Sequence, residues 1–340
     1  MGNSNRMFNP NVRDNCNDPS IYLKERLNKL GYELKTADDN SLNDCEWVLF
    51  YDSSSVRPYA GWQGIAKKIK ANIVRIPLER DLYNECVKAG LQKRSVLFLW
   101  EAPAVCRKNW DPDLHELFPI IFSWHDGLID NRKYFKTYIT QPRQYPQTPR
   151  IHFIQKKLLV SISANKYSYH PRELYSARRA SIKHFERSQT NNFDLYGVGW
   201  DGPMNIQEKV FPFTRHVYPS FKGTIKNKWE VLPRYRFSLC YENIRDEPGY
   251  VTEKIFDCMR AGCVPVYWGA SNICEHVSPE AFIDRRNYRS DAELESFLLD
   301  IDEHRYLIYQ EAIKEYLESD LFKKYLPPAF ADTIIKVLKL

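Results

Sequence analysis

A lysine close to the start of a predicted helix is the first residue whose position suggests chemistry. Thr252 is a favourable N-cap for a helix over residues 253–261, and Lys254 falls in its first turn. Free backbone N–H groups and the positive end of the helix dipole favour a phosphate at such a position, and Lys254 adds a full charge. These features predict a diphosphate site. The alternative is an ordinary surface lysine in a first helical turn.

A carboxylate that directly follows an apolar strand is the second candidate. Residues 95–100 are predicted to form a buried strand, and Glu101 comes next, followed by Ala102-Pro103. In parallel sheets ligands bind outside the carboxyl ends of the strands, so this position directs the carboxylate toward a ligand. The alternative is a glutamate at the rim of the fold that caps a loop.

The helix start that carries Lys254 is part of a longer motif. The motif is Tyr250-Val-Thr-Glu-Lys-Ile255, preceded by Tyr241-Glu-Asn243 and followed by Ala261-Gly-Cys-Val-Pro-Val266 and Trp268-Gly269. It resembles the signature of glycosyltransferase family 10, the α-1,3/4-fucosyltransferases, in the bacterial form that has no membrane anchor. The resemblance is strong over residues 158–302 and weaker over the first 140 residues.

This resemblance implies a fold and an activity. The fold is the α/β GT-B architecture, in which two Rossmann-like domains face each other across a cleft. The implied activity is an inverting α-1,3-fucosyltransferase, which moves L-fucose from GDP-fucose to a glycan hydroxyl by single displacement. The implied partners are a GDP-sugar donor and an oligosaccharide or lipid-linked glycan acceptor. No cofactor is expected to be required, and a divalent ion is expected to be dispensable.

The resemblance also assigns roles to residues of the motif. Carried over by position, Asn243, Tyr250, Glu253 and Lys254 correspond to donor-binding residues of the family. Lys254 would hold the diphosphate. Glu253 would face either the ribose or the charge that develops on the sugar ring, and the second role makes it a catalytic candidate.

Glu101 is the catalytic base that the resemblance implies. An inverting transferase needs one carboxylate to take the proton from the acceptor hydroxyl, whereas a glycosidase needs two carboxyl groups flanking the bond. Glu101-Ala-Pro103 is similar to the Glu-Ser-Pro or Glu-Asn segment of the family. Ala102 departs from the usual Ser or Asn, so a local hydrogen bond is expected to be missing.

Two further donor-binding residues come from the start of the second domain. Asn165 ends a predicted strand in a way similar to the family, and a helix with an arginine in Ser176-Ala-Arg-Arg179 follows. A guanidinium can hold two phosphate oxygens at once, which suits a diphosphate. Arg178 aligns better with the family arginine than Arg179 does. The alternative is a solvated arginine on a helix.

The elements that must position these residues form two alternating series of helices and strands. The alternation predicts parallel sheets that are covered on both faces. In the first series we expect a helix over 19–30 and strands over 47–51, 72–77 and 95–100. In the second we expect strands over 157–163, 195–198, 236–241 and 264–268, a helix with Pro171 in its first turn, and a largely helical tail from residue 291.

Three prolines within residues 141–149 predict a semi-rigid linker between the two series. We therefore expect an acceptor-side Rossmann-like domain over 1–140 and a linker over 141–152. A GDP-sugar-binding Rossmann-like domain would follow over 153–310, and a C-terminal helical tail over 311–340. Two such sheets leave a cleft between them, which is the usual place for a ligand.

Charge and composition limit the partners. The net charge of +6 favours an anionic ligand or an anionic membrane surface, but the basic runs are too short to predict nucleic-acid binding. The eight cysteines lack the spacing of zinc sites or disulfide frameworks.

The first thirty residues are polar and no stretch approaches ~18 apolar residues, so we predict neither a signal peptide nor a membrane anchor. We expect a cytoplasmic protein, and a peripheral contact with the inner face of the membrane stays open.

Three other patterns are given structural interpretations. Asp111-Pro-Asp113 opens a predicted helix, where aspartate is a routine cap, and Gly197-Val-Gly199 is expected to shape a turn beside the nucleotide. Trp124-His125-Asp126 follows an apolar run and is either structural or part of the acceptor pocket.

Two other functions of the protein remain open. One is a transferase for another nucleotide-deoxysugar on the same scaffold, and the other is an inactive basic glycan-binding protein.

Overall fold

Two parallel β-sheets, one in each half of the chain, form the framework. The computed structural model describes residues 6–38, 40–58, 61–74, 78, 80–203, 206–211, 213 and 215–340. Nine strands occur in these ranges: β1 Val48–Tyr51, β2 Ser95–Leu99, β3 Ile120–Ser123, β4 Tyr134–Lys136, β5 Lys157–Ile162, β6 Phe193–Tyr196, β7 Tyr235–Tyr241, β8 Val264–Trp268 and β9 Ile283–Asp284. The first sheet has the order β1-β2-β3-β4 and the second has the order β6-β5-β7-β8-β9.

Helices connect and cover these strands. They are α1 Asp18–Lys29, α2 Gly61–Val74, α3 Leu82–Lys88, α4 Pro112–His115, α5 Tyr175–Ser188, α6 Ile206–Val210, α7 Glu253–Arg260, α8 Asp291–Leu299, α9 Glu303–Glu318, α10 Asp320–Lys323 and α11 Pro327–Leu338. None of the helices within the described ranges is long and apolar enough to cross a membrane.

The first sheet has an apolar layer on each face, which explains its continuous apolar strands. All five residues of β2 are buried. One face packs on α3 and the segment before β3, and the other packs on α1 and α11. The ring of Phe330 in α11 lies 5.9 Å from that of Phe98 in β2. The last long helix of the chain therefore completes the core of the first sheet.

The second sheet reverses its strand order beside β5. From β5 the chain adds β6 on one side, and then β7, β8 and β9 on the other. The carboxyl ends of β5 and β7 therefore flank a crevice, and in open α/β sheets ligands bind at such a reversal. Both sheets contain only parallel pairs among the described residues, as the alternation of elements predicts.

Most predicted strands are confirmed to within two residues at either end, but two predictions about the elements are wrong. Residues 72–74 of the expected strand over 72–77 finish α2, and residues 75–77 lie outside the described part of the chain. Isoleucines at 65, 69 and 73 have the spacing of a helix, and this outweighs the β-branched pair at its end. Pro171 is not in the first turn of α5, which begins at Tyr175, because Glu173 forms a bridge with Ile244.

The proposed domain boundaries stay predictions, and two helices bear on where they should be drawn. The helix α9 runs across the expected boundary between residues 310 and 311. The helix α11 belongs to the predicted tail, yet it packs on the first sheet beside α1. The tail therefore contributes to both halves of the molecule.

The two domains meet in direct contact at Gly249. Its φ is +84°, in the left-handed region that favours glycine. A Cβ atom at this position would lie 2.3 Å from the carbonyl oxygen of Trp124 in the first domain. Next to it, the ring of Tyr250 lies 4.6 Å from that of Trp124. Glycine at 249 thus permits the close approach of the two domains.

We predict that Gly249→Ala lowers the free energy of unfolding by about 3 kcal/mol, because backbone strain and overpacking add together. Gly90→Ala is the matched control, since Gly90 has a φ of +71° but a Cβ atom there would meet nothing within 4 Å. That control should cost only about 1 kcal/mol. Urea unfolding of both variants measures the difference, and equal costs would contradict the close approach.

Candidate active site

The carboxyl ends of β2, β5 and β7 bring the predicted site residues to one region between the domains. Glu101 follows β2 in the first domain, and Lys254 is the second residue of α7 in the second. These two side chains are close enough for the ammonium group of Lys254 to influence the pKa of Glu101. Of the remaining candidates, Asn165, Arg178 and Asn243 lie on loops and helices that leave β5 and β7, and Tyr250 and Glu253 lie just before and at the start of α7.

A buried carboxylate at the end of β7 organises the start of α7. Glu242 has no exposed surface, and its Oε1 accepts a hydrogen bond of 2.8 Å from the backbone N–H of Thr252. Its Oε2 accepts from the Thr252 hydroxyl at 2.7 Å and from Lys254 Nζ at 3.1 Å. Thr252 is the N-cap residue as predicted, but its hydroxyl binds Glu242 and makes no cap hydrogen bond.

Lys254 is held in its charged form. Burial lowers the pKa of Lys254, and the guanidinium of Arg178 acts in the same direction. The carboxylates of Glu242 and Glu253 outweigh both effects and raise the pKa above its ordinary value. The side chain of Lys254 is 21% exposed, so the charge is fixed at the helix start and still reaches the cleft.

Glu253 is the more accessible of the two carboxylates beside this lysine. Its side chain is 52% exposed, and its Oε1 lies 3.7 Å from Lys254 Nζ. Desolvation opposes ionisation here, but the positive charges of Lys254 and Lys228 outweigh it and lower the pKa of Glu253. Glu253 is therefore an ionised acceptor at the helix start, and this is compatible with a hydrogen bond to a hydroxyl group.

Arg178 lies in the first turn of α5 and is almost fully buried, with 3% exposure. Its Nη2 donates hydrogen bonds to the carbonyl oxygens of Tyr241 at 2.5 Å and Glu242 at 3.0 Å, whereas its Nε has no partner among the described residues. Burial lowers the pKa of this guanidinium. Arg178 thus anchors the end of β7 and retains one free donor. Arg179 instead binds the carbonyl oxygen of Lys166.

Tyr250 and Asn243 form a polar contact against the first domain. Asn243 Nδ2 donates to the hydroxyl oxygen of Tyr250 at 3.3 Å. The Tyr250 ring is buried against Trp124, and burial raises the pKa of its hydroxyl well above the ordinary value. The phenol therefore stays neutral and keeps its O–H group as a hydrogen-bond donor.

Asn165 lies beside the glycine pair and does not contact the Lys254 group directly. Its Nδ2 donates to the carbonyl oxygen of Gly199 at 3.1 Å, and its Oδ1 has no partner among the described residues. At Gly197 a Cβ atom would lie 1.9 Å from the carbonyl oxygen of Ser163. The pair Gly197 and Gly199 thus shapes a tight turn against the β5 loop, and its place beside a nucleotide stays a prediction.

Glu101 is positioned through its backbone. Asp52, which follows β1, accepts hydrogen bonds from the backbone N–H groups of Trp100 and Glu101 at 2.8 and 3.2 Å. The carbonyl oxygen of Glu101 accepts from the Trp110 indole at 3.0 Å. Within the described ranges, no side chain donates a hydrogen bond to the Glu101 carboxylate. The backbone of Glu101 is therefore held in place, and its carboxylate is left open to accept a hydrogen bond from a ligand.

The electrostatic surroundings make Glu101 a better base than an exposed glutamate. Burial raises its pKa, and the negative charge of Asp52 raises it further. Lys166 and Lys254 act in the opposite direction without cancelling the rise. A carboxylate with a raised pKa accepts a proton more readily near neutral pH.

The segment Trp124-His125-Asp126 proves to be an interdomain contact. Asp126 receives hydrogen bonds from Lys136 at 2.5 Å and from Asn272 at 2.9 Å, and His276 Nε2 lies 2.9 Å away. His125 Nε2 lies 3.2 Å from a carboxylate oxygen of Glu247 in the second domain. Burial opposes ionisation of Asp126, but these donors lower its pKa. The segment connects the domains beside the candidate site.

One group in the described ranges has the composition of a cation site. Ligand atoms of Asp126, Glu275 and His276 lie within 4.8 Å of one another. Lys136 and Asn272 already donate to Asp126, so its charge is balanced by the protein itself. The arrangement favours a structural network. Asp111 is not in this group and caps α4, accepting from the N–H of Asp113 at 3.1 Å.

A cavity of about 640 Å³ lies elsewhere, in the first domain. It is lined largely by residues 32–38, 40–42 and 44–49 together with Ile334 and Leu338 of α11. None of the predicted site residues lines this cavity. The charged and hydrogen-bonding groups described above are at the other location, where the two domains meet, and we place the candidate active site there.

Two residues with clear positions in this site had no predicted role. Glu242 is part of the motif, but its burial and its contact with Lys254 depend on the packing of β7 against α7. Asp52 follows β1 in the way that Glu101 follows β2. The rule that strand ends face the cleft, applied to both strands, would have found it.

The second domain matches a known family. Residues 192–325 match the model of the glycosyltransferase family 10 (fucosyltransferase) C-terminal domain. A curated relative, the alpha-(1,3)-fucosyltransferase FucT of Helicobacter pylori, is 34% identical over 122 residues, which make up 33% of this chain and 25% of the relative. The match thus spans a quarter of that protein's length.

Solved structures show the same architecture at low sequence identity. A crystal structure of an alpha1,3-fucosyltransferase has a TM-score of 0.50 and 13% identity, covering 90% of this chain and 93% of its own. An alpha-glucosyltransferase in complex with UDP-glucose and DNA containing an abasic site has a TM-score of 0.54 and 12% identity, covering 96% of both chains. The predicted GT-B fold, with two parallel α/β sheets, is confirmed.

We predict that Asp52→Asn lowers the pKa of Glu101. The substitution removes a neighbouring negative charge, while an amide oxygen can still accept the hydrogen bonds from the Trp100 and Glu101 N–H groups. A titration of ¹³C-labelled glutamate carboxyl groups by NMR measures the change. Asp300→Asn is the control, since Asp300 is an exposed residue of the second domain. An unchanged Glu101 titration in Asp52→Asn would contradict the coupling.

Proposed function

We propose that the chain is an inverting α-1,3-fucosyltransferase that uses GDP-fucose, from the premise that residues 192–325 match the C-terminal domain model of glycosyltransferase family 10. The observation that carries the proposal is the open carboxylate of Glu101, which lies within electrostatic reach of Lys254 at the start of α7. One group can take up a proton, and the other can bind a phosphate. They belong to different domains, so a donor and an acceptor can meet between them.

In the proposed reaction the acceptor hydroxyl attacks the anomeric carbon of fucose from the face opposite GDP. The bond from that carbon to the acceptor oxygen forms as its bond to the β-phosphate oxygen breaks, and the configuration inverts. Glu101 takes the hydroxyl proton as the oxygen attacks. GDP leaves with the bonding electrons, so no separate acid is needed.

The leaving diphosphate would be stabilised at the start of α7. Lys254 supplies a fixed positive charge there, and the first N–H groups of the helix point in the same direction. Arg178 stabilises the neighbouring end of β7, because it donates hydrogen bonds to the carbonyl oxygens of Tyr241 and Glu242. Preorganised charges of this kind act on the charge that develops in the transition state.

The proposed substrates rest on the family and on the site together. The curated relative from Helicobacter pylori is named for α-1,3-fucosyl transfer, and the segment that matches the family model, residues 192–325, includes Lys254. GDP-fucose as donor and a glycan as acceptor are the corresponding proposals for this chain. The protein cations at the diphosphate support a reaction that requires no metal ion.

The location of the protein stays a prediction. The net charge of +6 supports a peripheral contact with an anionic membrane surface, where a lipid-linked glycan would be presented. We propose action on the cytoplasmic side.

The identity of the donor and the acceptor can be tested together by measuring GDP release with a panel of GDP-sugars and a glycan library. Preference for another deoxysugar would favour a transferase for a different nucleotide-deoxysugar, and no turnover at all would favour an inactive glycan-binding protein.

We predict that Glu101→Ala and Glu101→Gln each reduce kcat by about 10²- to 10⁴-fold, because the proton acceptor is removed. Binding of GDP should change little. Glu116→Gln is the control, since Glu116 is an exposed glutamate of the same domain. GDP release at saturating substrate measures kcat, and a loss smaller than about tenfold would exclude the role of base.

The pH dependence of this reaction follows from the raised pKa of Glu101. The carboxylate must be ionised to accept a proton, so activity should fall as the pH drops through this pKa. Because burial and Asp52 raise it, the acid limb should lie above the ordinary glutamate value of about 4.3. The limb should move to lower pH in Asp52→Asn.

We predict that Lys254→Gln weakens GDP binding by about tenfold or more, because a fixed positive charge at the diphosphate is lost. Isothermal titration calorimetry with GDP measures the affinity, and thermal unfolding checks that the variant folds, since Glu242 loses its cation. Lys324→Gln is the matched control, because Lys324 is an exposed lysine near the C-terminus. Equal affinities in the two variants would remove Lys254 from the donor site.

A further inference from the structure

The loop between β5 and α5 carries a pair of exposed aromatic rings that the proposed reaction does not use. Tyr167 is 49% exposed and Tyr169 is 91% exposed. Their ring centroids are 4.8 Å apart, and the ring planes are perpendicular. Single exposed tyrosines are common on protein surfaces, but two rings in edge-to-face contact form a larger and more ordered apolar surface.

The loop is anchored on both sides of the cleft. Ser168, which lies between the two tyrosines, donates a hydrogen bond of 2.8 Å from its hydroxyl to the carbonyl oxygen of Ala104 in the first domain. On the other side, Arg179 in α5 donates to the carbonyl oxygen of Lys166 at 2.6 Å. These contacts hold the chain on both sides of Tyr167, and beyond Tyr169 the backbone N–H of His170 donates to the Ser168 hydroxyl at 3.3 Å. Little backbone entropy would therefore be lost on binding a ligand.

The position of the anchors places the ring pair beside the proposed base. Ala104, which receives the Ser168 hydroxyl, is three residues after Glu101. Lys166, adjacent to Tyr167, is close enough for its charge to lower the pKa of Glu101. The rings therefore lie at the rim of the cleft, on the side where an acceptor hydroxyl would have to approach Glu101.

A sugar ring is the ligand whose chemistry fits this surface. A pyranose presents a face of C–H groups and a periphery of hydroxyl groups. A tyrosine presents an apolar ring face and a phenolic hydroxyl that both donates and accepts hydrogen bonds. Tyrosine also supplies rigid contact area with only two side-chain torsions. A pair of perpendicular rings offers one face for stacking and one edge that limits the orientation of the sugar.

We propose that Tyr167 and Tyr169 form an acceptor subsite, on which a sugar residue of the glycan stacks next to the residue that receives fucose. This inference rests on the proposed function, because it assigns the acceptor to the rim beside Glu101. It explains why a loop that follows a donor-domain strand is tied to the first domain through Ser168. The subsite positions the acceptor and takes no part in proton transfer.

The test compares the kinetics of two double variants with N-acetyllactosamine and a lactosamine tetrasaccharide as acceptors. In Tyr167→Ala/Tyr169→Ala the acceptor KM should rise about tenfold or more, with a larger rise for the tetrasaccharide. The kcat, the KM for GDP-fucose and the slow hydrolysis of GDP-fucose without a glycan should stay within about twofold of the wild type. Tyr167→Phe/Tyr169→Phe keeps the ring faces and should keep most of the acceptor affinity.

Ile154→Ala is the matched control. Ile154 is 84% exposed and precedes β5, so it lies at the amino end of this strand, opposite the carboxyl end from which the tyrosine loop leaves. It should leave all the constants unchanged. Equal acceptor KM values in the wild type and the alanine double variant would overturn the subsite. A weakened KM for GDP-fucose with an unchanged acceptor KM would also overturn it, because the rings would then serve the nucleotide.

A second measurement separates this inference from the proposed function. If the wild type transfers no fucose to any glycan, the proposed function is wrong, and binding to an immobilised glycan array then decides the subsite. Glycans bound by the wild type and lost by the alanine double variant would support the ring pair as a sugar platform. Binding that is absent in the wild type, or unchanged in the variant, would overturn it.

Discussion

The burial of one negative charge, that of Glu242, governs the arrangement of the candidate site. A buried carboxylate is tolerated only when hydrogen bonds and an opposite charge compensate for its lost hydration. Here the partners are the N–H and hydroxyl of Thr252 and the ammonium of Lys254. Satisfying them fixes the end of β7 against the start of α7. The lysine that would bind a phosphate is therefore oriented before any ligand arrives.

The contact between the two domains determines how the proton-accepting group and the phosphate-binding group are placed relative to each other. Because Glu101 and Lys254 belong to different domains, their separation depends on how Trp124 packs against Gly249 and Tyr250. The donors around Asp126 add a polar junction next to this contact. Proton uptake and phosphate binding are thus coordinated through packing between domains, and no single secondary-structure element carries both.

The sequence predicts where the site residues lie in the fold better than it predicts which groups their side chains bind. The carboxyl end of β2 and the start of α7 follow from local patterns, and both place a candidate residue at the cleft. Arg178 differs, because its guanidinium binds backbone carbonyls of β7, and this depends on how α5 packs against the sheet. The predicted start of α5 is wrong for a related reason, since Glu173 pairs with a residue far along the chain. Local patterns do not report such long-range contacts.

The return of α11 to the first sheet has a consequence for how the chain acquires its structure. Residues of the first sheet precede the second domain in the sequence, but the helix that covers one of the faces of this sheet follows that domain. Until that helix is made, Phe98 and Phe122 lack part of their apolar cover, and an uncovered aromatic surface favours association with other chains. The core of the first domain is therefore completed only after the second domain has been synthesised.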